Sequence, residues 1–185
     1  MSQYNIVIES NEVTVVSEYT PDKQRSTDYQ SEGALEHEFI NRLSEQGYEY
    51  IRIRDEFELI INLRKQLELL NNYRFSDNEW SKFFAQILSS ANEGIVEKTR
   101  KIQDDHVQNM KCDDGTTKNI ILIDKRNIHN NRLQVINQYE VQGGSHQTRY
   151  DVTILVNVLP LIHVELKRRG VAIREAFNQI NRYQR

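Results

Sequence analysis

Hydrophobic and polar positions alternate near the N-terminus and again after residue 119, and they recur at helical spacing between those stretches. "YNIVIE" and "EVTVVSEY" alternate and are rich in Val and Ile. With "SN" between them as a turn, they predict a β-hairpin over residues 4–19. The polar "TPDKQRSTDYQSEG" predicts a loop. Leu35, Phe39, Ile40 and Leu43 then recur at helical spacing, and Gly47 stands where a helix C-terminus takes a left-handed residue. "YEYIRI" predicts a strand. Residues 56–72 read as a helix. Ser76 with Glu79 three positions on forms a capping box before "WSKFFAQILSSA". Residues 93–111 predict a third helix of this group, and the three together are expected to be a helical insertion over about residues 55–111 on a smaller core. "KCDDGTTKN" predicts a turn. From Asn119 onward "NIILID", "RLQVINQYEV", "RYDVTILVNV" and "PLIHVELK" predict sheet, with "QGGSH" joining two of the strands. After Gly170, helical spacing returns through Ile173, Ala176, Phe177 and Ile180. The expected class is α/β, and only the last segment resembles a strand–helix crossover.

Composition narrows this picture. A chain of 185 residues suits one domain with a real core. Its 28% charged and 38% hydrophobic residues exclude a disordered class. A formal net charge of −3 gives, on average, no sign of a polyanionic partner. The single cysteine, Cys112, excludes an internal disulfide framework and zinc sites built on paired cysteines. One free thiol fits a reducing cytoplasm, the expected location. There is no apolar N-terminal stretch for a signal peptide and no run of about 18 apolar residues, so no membrane partner is expected. No G-x-x-x-x-G-K-[ST] loop occurs, so the chain carries no nucleotide-driven motor of that type.

One stretch combines apolar pattern with charge. In "IHVELKRRG", Glu165 and Lys167 interrupt an apolar run and Arg168 and Arg169 follow. A strand that buries such groups loses stability unless they are paired or bind something. Pro160 in "NVLP" marks a bend. If the flanking runs pair as a hairpin centred near Val158, residue 151 faces residue 165. Alternation then puts Glu165 and Lys167 on one face. Two carboxylates, Asp151 and Glu165, repel unless a hard divalent cation lies between them, and oxygen ligands with room for water favour magnesium. Lys167 would stand beside that cation or the scissile phosphate. A plainer alternative remains open from the spacing alone: Asp151 caps a turn, and Glu165 and Lys167 form an edge-strand ion pair.

Three features favour the chemical reading. From Glu165 to Arg185 the basic residues Lys167, Arg168, Arg169, Arg174, Arg182 and Arg185 outnumber Glu165 and Glu175, which suits a phosphate backbone. Gln179 and Tyr183 share a helix face. Glu36 and Glu38 flank the apolar stripe of the first helix, and one of them could reach the same site as a ligand or a supporting acid. His163 has the strand parity of Glu165 but is expected to support the core or the site rather than ligate.

Taken together, Asp151, thirteen residues, Glu165-Leu166-Lys167 and then Gln179-x-x-x-Tyr183 resemble the PD-(D/E)xK nuclease superfamily in its RecB-like branch. "ALEHEFINRLSEQGYEYI", "RYDVTILVNVLPLIHVELKRRG" and "AFNQINRY" resemble the N-terminal endonuclease region of the R subunit of type I restriction–modification enzymes, type IC. The resemblance covers essentially the whole chain and is strongest in residues 34–53 and 149–185. It implies a single endonuclease domain over residues 1–185, with a restriction-endonuclease-like central mixed β-sheet flanked by helices. It also implies magnesium-dependent cleavage of double-stranded DNA without sequence preference. A helicase-like motor downstream would consume the ATP, which this chain would not bind, so the chain is expected to be a fragment of a larger subunit. Methyltransferase and specificity subunits would be its partners. In the family pattern Asp151, Glu165 and the backbone carbonyl of Leu166 would be metal ligands, and Lys167 would orient or activate the attacking water. Gln179 and Tyr183, with Arg182 beside them, would position DNA or the catalytic groups. The early catalytic acid aligns with Glu36 by its spacing to the "FI" pair. Tyr150 stands where the superfamily's proline precedes the first acid. The competing class is a non-catalytic domain of the same fold that binds DNA or docks onto a motor.

Overall fold

A computed structural model describes residues 3–9, 15–20, 31–141, 148–168, 174, 175, 177 and 178. β1 (Gln3–Glu9) and β2 (Val15–Thr20) pair antiparallel, with a bulge between Ile6 and Ile8. This matches the expected hairpin, whose turn residues Ser10 and Asn11 lie outside the described residues.

The helices start where the sequence places caps. α1 (Glu32–Glu45) begins at Ser31, whose hydroxyl accepts from Ala34 N at 3.1 Å. It ends before Gly47, whose φ of +93° is the left-handed conformation expected there. α2 (Glu56–Asn71) is capped by Asp55, which accepts from Glu58 N at 2.9 Å, and is closed by left-handed Asn72. α3 (Asp77–Phe83) carries the full capping box: Glu79 N donates to Ser76 Oγ at 3.1 Å and Ser76 N donates to Glu79 Oε2 at 2.9 Å. It widens into a π-helical turn over Phe84–Leu88.

Two readings of this middle region are corrected. The helix expected over 93–111 is shorter: α4 (Ile95–Gln103) stops, and Val107–Lys111 is a strand, β4. Gln108 and Met110 are buried there while Val107, Asn109 and Lys111 are exposed, a period of two rather than of 3.6. β4 pairs with β5 (Thr117–Ile121) around the predicted turn, so "NIILID" belongs to a separate two-stranded sheet. The strand expected in "YEYIRI" is only β3 (Glu49–Tyr50), because Asp55 begins α2 five residues later.

The central sheet has the order β3-β6-β7-β8, with β6 (Leu133–Val141), β7 (Thr148–Val156) and β8 (Leu159–Val164). β3 runs parallel to β6 and the other pairs are antiparallel, so the sheet is mixed, as expected. Its two faces bury different partners. Val135, Val152 and Ile154 pack against Ile40 and Leu43 of α1. Ile136 and Leu155 belong to a larger cluster with Leu63, Leu67, Phe75, Trp80, Phe83, Met110 and Ile120. The helices between residues 55 and 111 therefore share one core with the sheet. Arg174, Glu175, Phe177 and Asn178 are helical, within the segment read as the last helix. No helix among the described residues is long and apolar enough to cross a membrane.

Candidate catalytic site

β7 and β8 bring the sequence-predicted acids together. Near their turn the pairs are Val156↔Leu159 and Leu155↔Pro160. The two turn residues, Asn157 and Val158, have φ of 50° and 69°, the backbone of a tight primed turn. A bulge between Ile154 and Leu155 shifts the register by one, so that Thr153 pairs with His163 and Val152 with Val164. Continued by one step, that register sets Asp151 beside Glu165. Pro160 lies on the edge strand, where its missing N–H costs no ladder bond.

Beyond Val164 the chain leaves the ladder and folds back over Asp151. Leu166 N donates to Asp151 Oδ2 at 2.8 Å. Lys167 Nζ donates to Glu165 Oε1 at 2.6 Å. The Glu165 side chain is 3% exposed and that of Lys167 19%, so the pair is largely shielded from water. Leu166 and Val164 pack onto the α1 side of the sheet, which anchors the segment that carries the charges.

The electrostatics follow from that burial. Desolvation pushes the Glu165 carboxyl above its ordinary value; the Lys167 hydrogen bond opposes this, and the charge and proximity of Asp151 add to it. For Lys167, desolvation acts downward, but the hydrogen bond and charge of Glu165, with the charges of Asp151 and Glu32, outweigh it and raise the ammonium. His163 stacks on Tyr150 with ring centroids 3.9 Å apart, and its Nδ1 lies 2.9 Å from Thr153 Oγ1. Burial of the ring holds its pKa below the ordinary value, although the residue keeps an exposed edge. It supports the strand pair rather than joining the acids.

Glu36 is placed differently. It is buried at 6% exposure, and its oxygens accept from Asn137 Nδ2 at 2.5 Å and from Gln138 Nε2. Among the described residues no three His, Cys, Asp or Glu side chains form a group that could hold a metal ion, so Glu36 does not complete a three-carboxylate cage with Asp151 and Glu165. Strand alternation gives the reason: Val152 and Ile154 face α1, whereas Asp151 has the opposite parity. Glu38 instead pairs with Arg42 along α1. Gln179, Arg182 and Tyr183 lie outside the described residues.

The donor set fits a hard divalent cation. Glu165 Oε2 is buried and has no hydrogen-bond partner among the described residues. An orphaned carboxylate oxygen beside a second carboxylate is what a cation would satisfy. Asp151, Glu165 and the carbonyl of Leu166 would supply oxygen only, which suits magnesium better than softer metals.

Sequence reasoning missed one group beside the acids and one partner of Glu36. Glu32, in the first turn of α1, accepts from Arg168 N at 3.4 Å and adds negative charge near Lys167. Its only signal was an acid at a helix start, which is generic. Gln138 carried no signal at all: it is a non-glycine residue with φ of 53° inside a strand.

Comparison with known proteins shows the family of the chain. The family described as "Type I restriction enzyme R protein N terminus" matches residues 29–185. The chain is 50% identical over 178 residues to the type I restriction enzyme EcoprrI endonuclease subunit of Escherichia coli, covering 96% of this chain and 56% of that protein. It is 40% identical over 162 residues to the type I restriction enzyme SsaAORF53P endonuclease subunit of Staphylococcus saprophyticus, covering 85% of this chain and 17% of that one. A Staphylococcus aureus relative, the SauMSSORF170P endonuclease subunit, is 38% identical over the same length. The chain thus spans about half the length of the first of these relatives and a much smaller part of the others.

Proposed function

The chain belongs to the family of the type I restriction enzyme R protein N terminus, and from that premise we propose that it is a single PD-(D/E)xK-type, restriction-endonuclease-like domain that hydrolyses phosphodiester bonds of double-stranded DNA. The observation that carries the reading is Glu165: a buried carboxylate, one oxygen held by Lys167 and the other without a partner, beside Asp151.

Asp151, Glu165 and the Leu166 carbonyl would hold magnesium. When bound, magnesium polarises a phosphoryl oxygen and makes a water more acidic. The chain's own groups do the rest. Leu166 N fixes one oxygen of Asp151 and so aims the other. Glu165 holds the Lys167 ammonium in place, and Lys167 stabilises negative charge as it develops on the attacked phosphorus group. Packing of Leu166 and Val164 keeps this segment from swinging into solvent. Gln179, Arg182 and Tyr183 would position the DNA backbone. Backbone contacts alone carry no sequence information, so cutting is non-specific and targeting is left to the methyltransferase and specificity subunits. The domain acts in the cytoplasm after ATP-driven translocation by helicase-like domains elsewhere in the polypeptide, and it is of the type IC branch.

The test uses the full-length subunit assembled with its partners, on circular plasmid with ATP and magnesium. Asp151→Ala, Glu165→Ala and Lys167→Ala are compared with wild type for DNA breaks and ATP consumption in the same tubes. Loss of breaks with ATP consumption retained is the expected result. Persistence of both would make the domain a docking module.

A further inference from the structure

The ladder of the edge strand β8 ends at Val164, but the chain continues through Glu165, Leu166, Lys167 and Arg168. Strand pairing does not hold these four residues, although Glu165 and Lys167 are among them. Two carboxylates stand in for the missing strand. Leu166 N donates to Asp151 Oδ2 at 2.8 Å, and Arg168 N donates to Glu32 Oε1 at 3.4 Å. Lys167 therefore lies between two backbone amides that are each bound to an acid from another element.

Glu32 reaches this segment because of where α1 lies. Glu32, Glu36, Ile40 and Leu43 follow one another at helical spacing, so they share one face of the helix. Ile40 and Leu43 pack on Val135, Val152 and Ile154, and Val164 and Leu166 pack against the same cluster. The face is apolar over the sheet and acidic toward the helix start, where it meets the unpaired chain. Ser31 fixes that first turn by accepting from Ala34 N at 3.1 Å. An acid at a helix start favours the helix by itself. A contact with Arg168, 136 positions along the chain, does not follow from that, nor does the action of the Glu32 charge on the Lys167 ammonium.

We propose that Glu32 is a positioning residue for Lys167. By accepting from Arg168 N it holds the far side of a segment that Asp151 holds at Leu166, and the lysine is thereby kept against Glu165. This rests on the nuclease reading above and deepens it. Glu32 acts through Lys167 and does not ligate the metal: among the described residues no three His, Cys, Asp or Glu side chains form a group that could hold one. The bond is exposed and long, so it contributes little to stability. Its effect is on geometry, where a displacement of about 1 Å can slow a reaction by about 100-fold.

The experiment compares Glu32→Ala, which removes the acceptor, with Glu32→Gln, which keeps an oxygen there. Hydrogen exchange of the peptide containing Arg168 is measured on the metal-free full-length subunit. DNA cleavage by the assembled enzyme is measured across magnesium concentrations. Glu32→Ala is expected to speed exchange in that peptide and to slow cutting by about 10-fold at saturating magnesium, with the magnesium requirement and the thermal midpoint unchanged. Glu32→Gln should restore both. Normal cutting by Glu32→Ala, or slower cutting with unchanged exchange, would overturn the proposal. So would a raised magnesium requirement, which would make Glu32 a ligand. Failure of Glu32→Gln to rescue would assign the effect to charge rather than to the bond, and would overturn it as well. Asp151→Ala separates the two levels. If Asp151→Ala is inactive while Glu32→Ala cuts and exchanges as wild type, only this inference falls. If Asp151→Ala cuts normally, the nuclease site is elsewhere and this inference falls with it.

Discussion

Lys167 donates to Glu165 at 2.6 Å from a position where neither side chain has much water around it. A surface pair of this kind would contribute little. Here, removing the lysine leaves a carboxyl that burial already pushes toward its neutral form. Lys167→Met is therefore expected to lower cleavage by on the order of 100-fold or more. It should also lower the unfolding free energy by about 1–3 kcal/mol. Plasmid cleavage and urea unfolding of the same preparation check both. A normal cutting rate would remove Lys167 from the mechanism.

Glu79 predicts how stability responds to acid. It is buried, and its oxygens accept from Ser76 N, Asp113 N and Tyr73 OH. The Ser76 backbone bond is the largest cause of its lowered pKa; burial opposes it, and the Asp113 and Tyr73 bonds reinforce it. A depressed folded-state value means that this stability is present above the unfolded carboxylate pKa of about 4.3. It is lost as pH falls through the folded value. Glu79→Gln should thus cost about 1–3 kcal/mol at neutral pH, and the gap from wild type should close in acid. Urea titrations across pH 3 to 7, a range chosen to bracket that pKa, would show the two curves converging; parallel curves would contradict the assignment.

Phe75 tests whether the helical region stands apart from the sheet. It is 2% exposed, stacks on Phe83 with centroids 5.8 Å apart and meets Tyr73 edge-on at 5.5 Å. The same cluster includes Ile136 and Leu155 of the sheet. Phe75→Ala is expected to cost about 3–5 kcal/mol and to lower one cooperative transition reported by both tryptophan fluorescence and far-ultraviolet dichroism. Two separated transitions would show that the helices fold as an independent unit.

Asn157 separates backbone from hydrogen bonding at the β7–β8 turn. Its amide donates to Leu122 O at 3.0 Å and to Asn131 Oδ1 at 2.8 Å, and it accepts from Arg132 N at 2.7 Å. Asn157→Ala loses these bonds and strains a left-handed residue, for a cost of about 2–4 kcal/mol. Asn157→Gly keeps the backbone at ease and should be milder by about 1 kcal/mol. Equal losses in thermal or urea unfolding would show that the turn conformation carries no strain.

The sequence made the β7–β8 hairpin legible because two alternating runs share one centre, and pairing about that centre forces Asp151 toward Glu165. The caps at Ser76 and Gly47 were legible for a similar reason: each residue type satisfies a local backbone need. The strand Val107–Lys111 was hidden because it continues directly from α4 with no proline or glycine between them, and its buried positions are Gln108 and Met110. Glu36 was legible as an acid on the first helix, but not as a carboxylate held by two amides. That depends on the φ of Gln138, which nothing in the composition of "VINQYEV" announces. Gly47 shows the contrast, since there the left-handed residue is the type that favours it.

Asp151 sits inside a strand paired on both sides, whereas Glu165, Leu166 and Lys167 follow the last paired residue of an edge strand. The two halves of the site are joined by the Leu166 amide on Asp151. That proton can exchange with solvent only when the halves part, so its hydrogen-exchange rate is a clock for site assembly, readable at a single amide without any substrate.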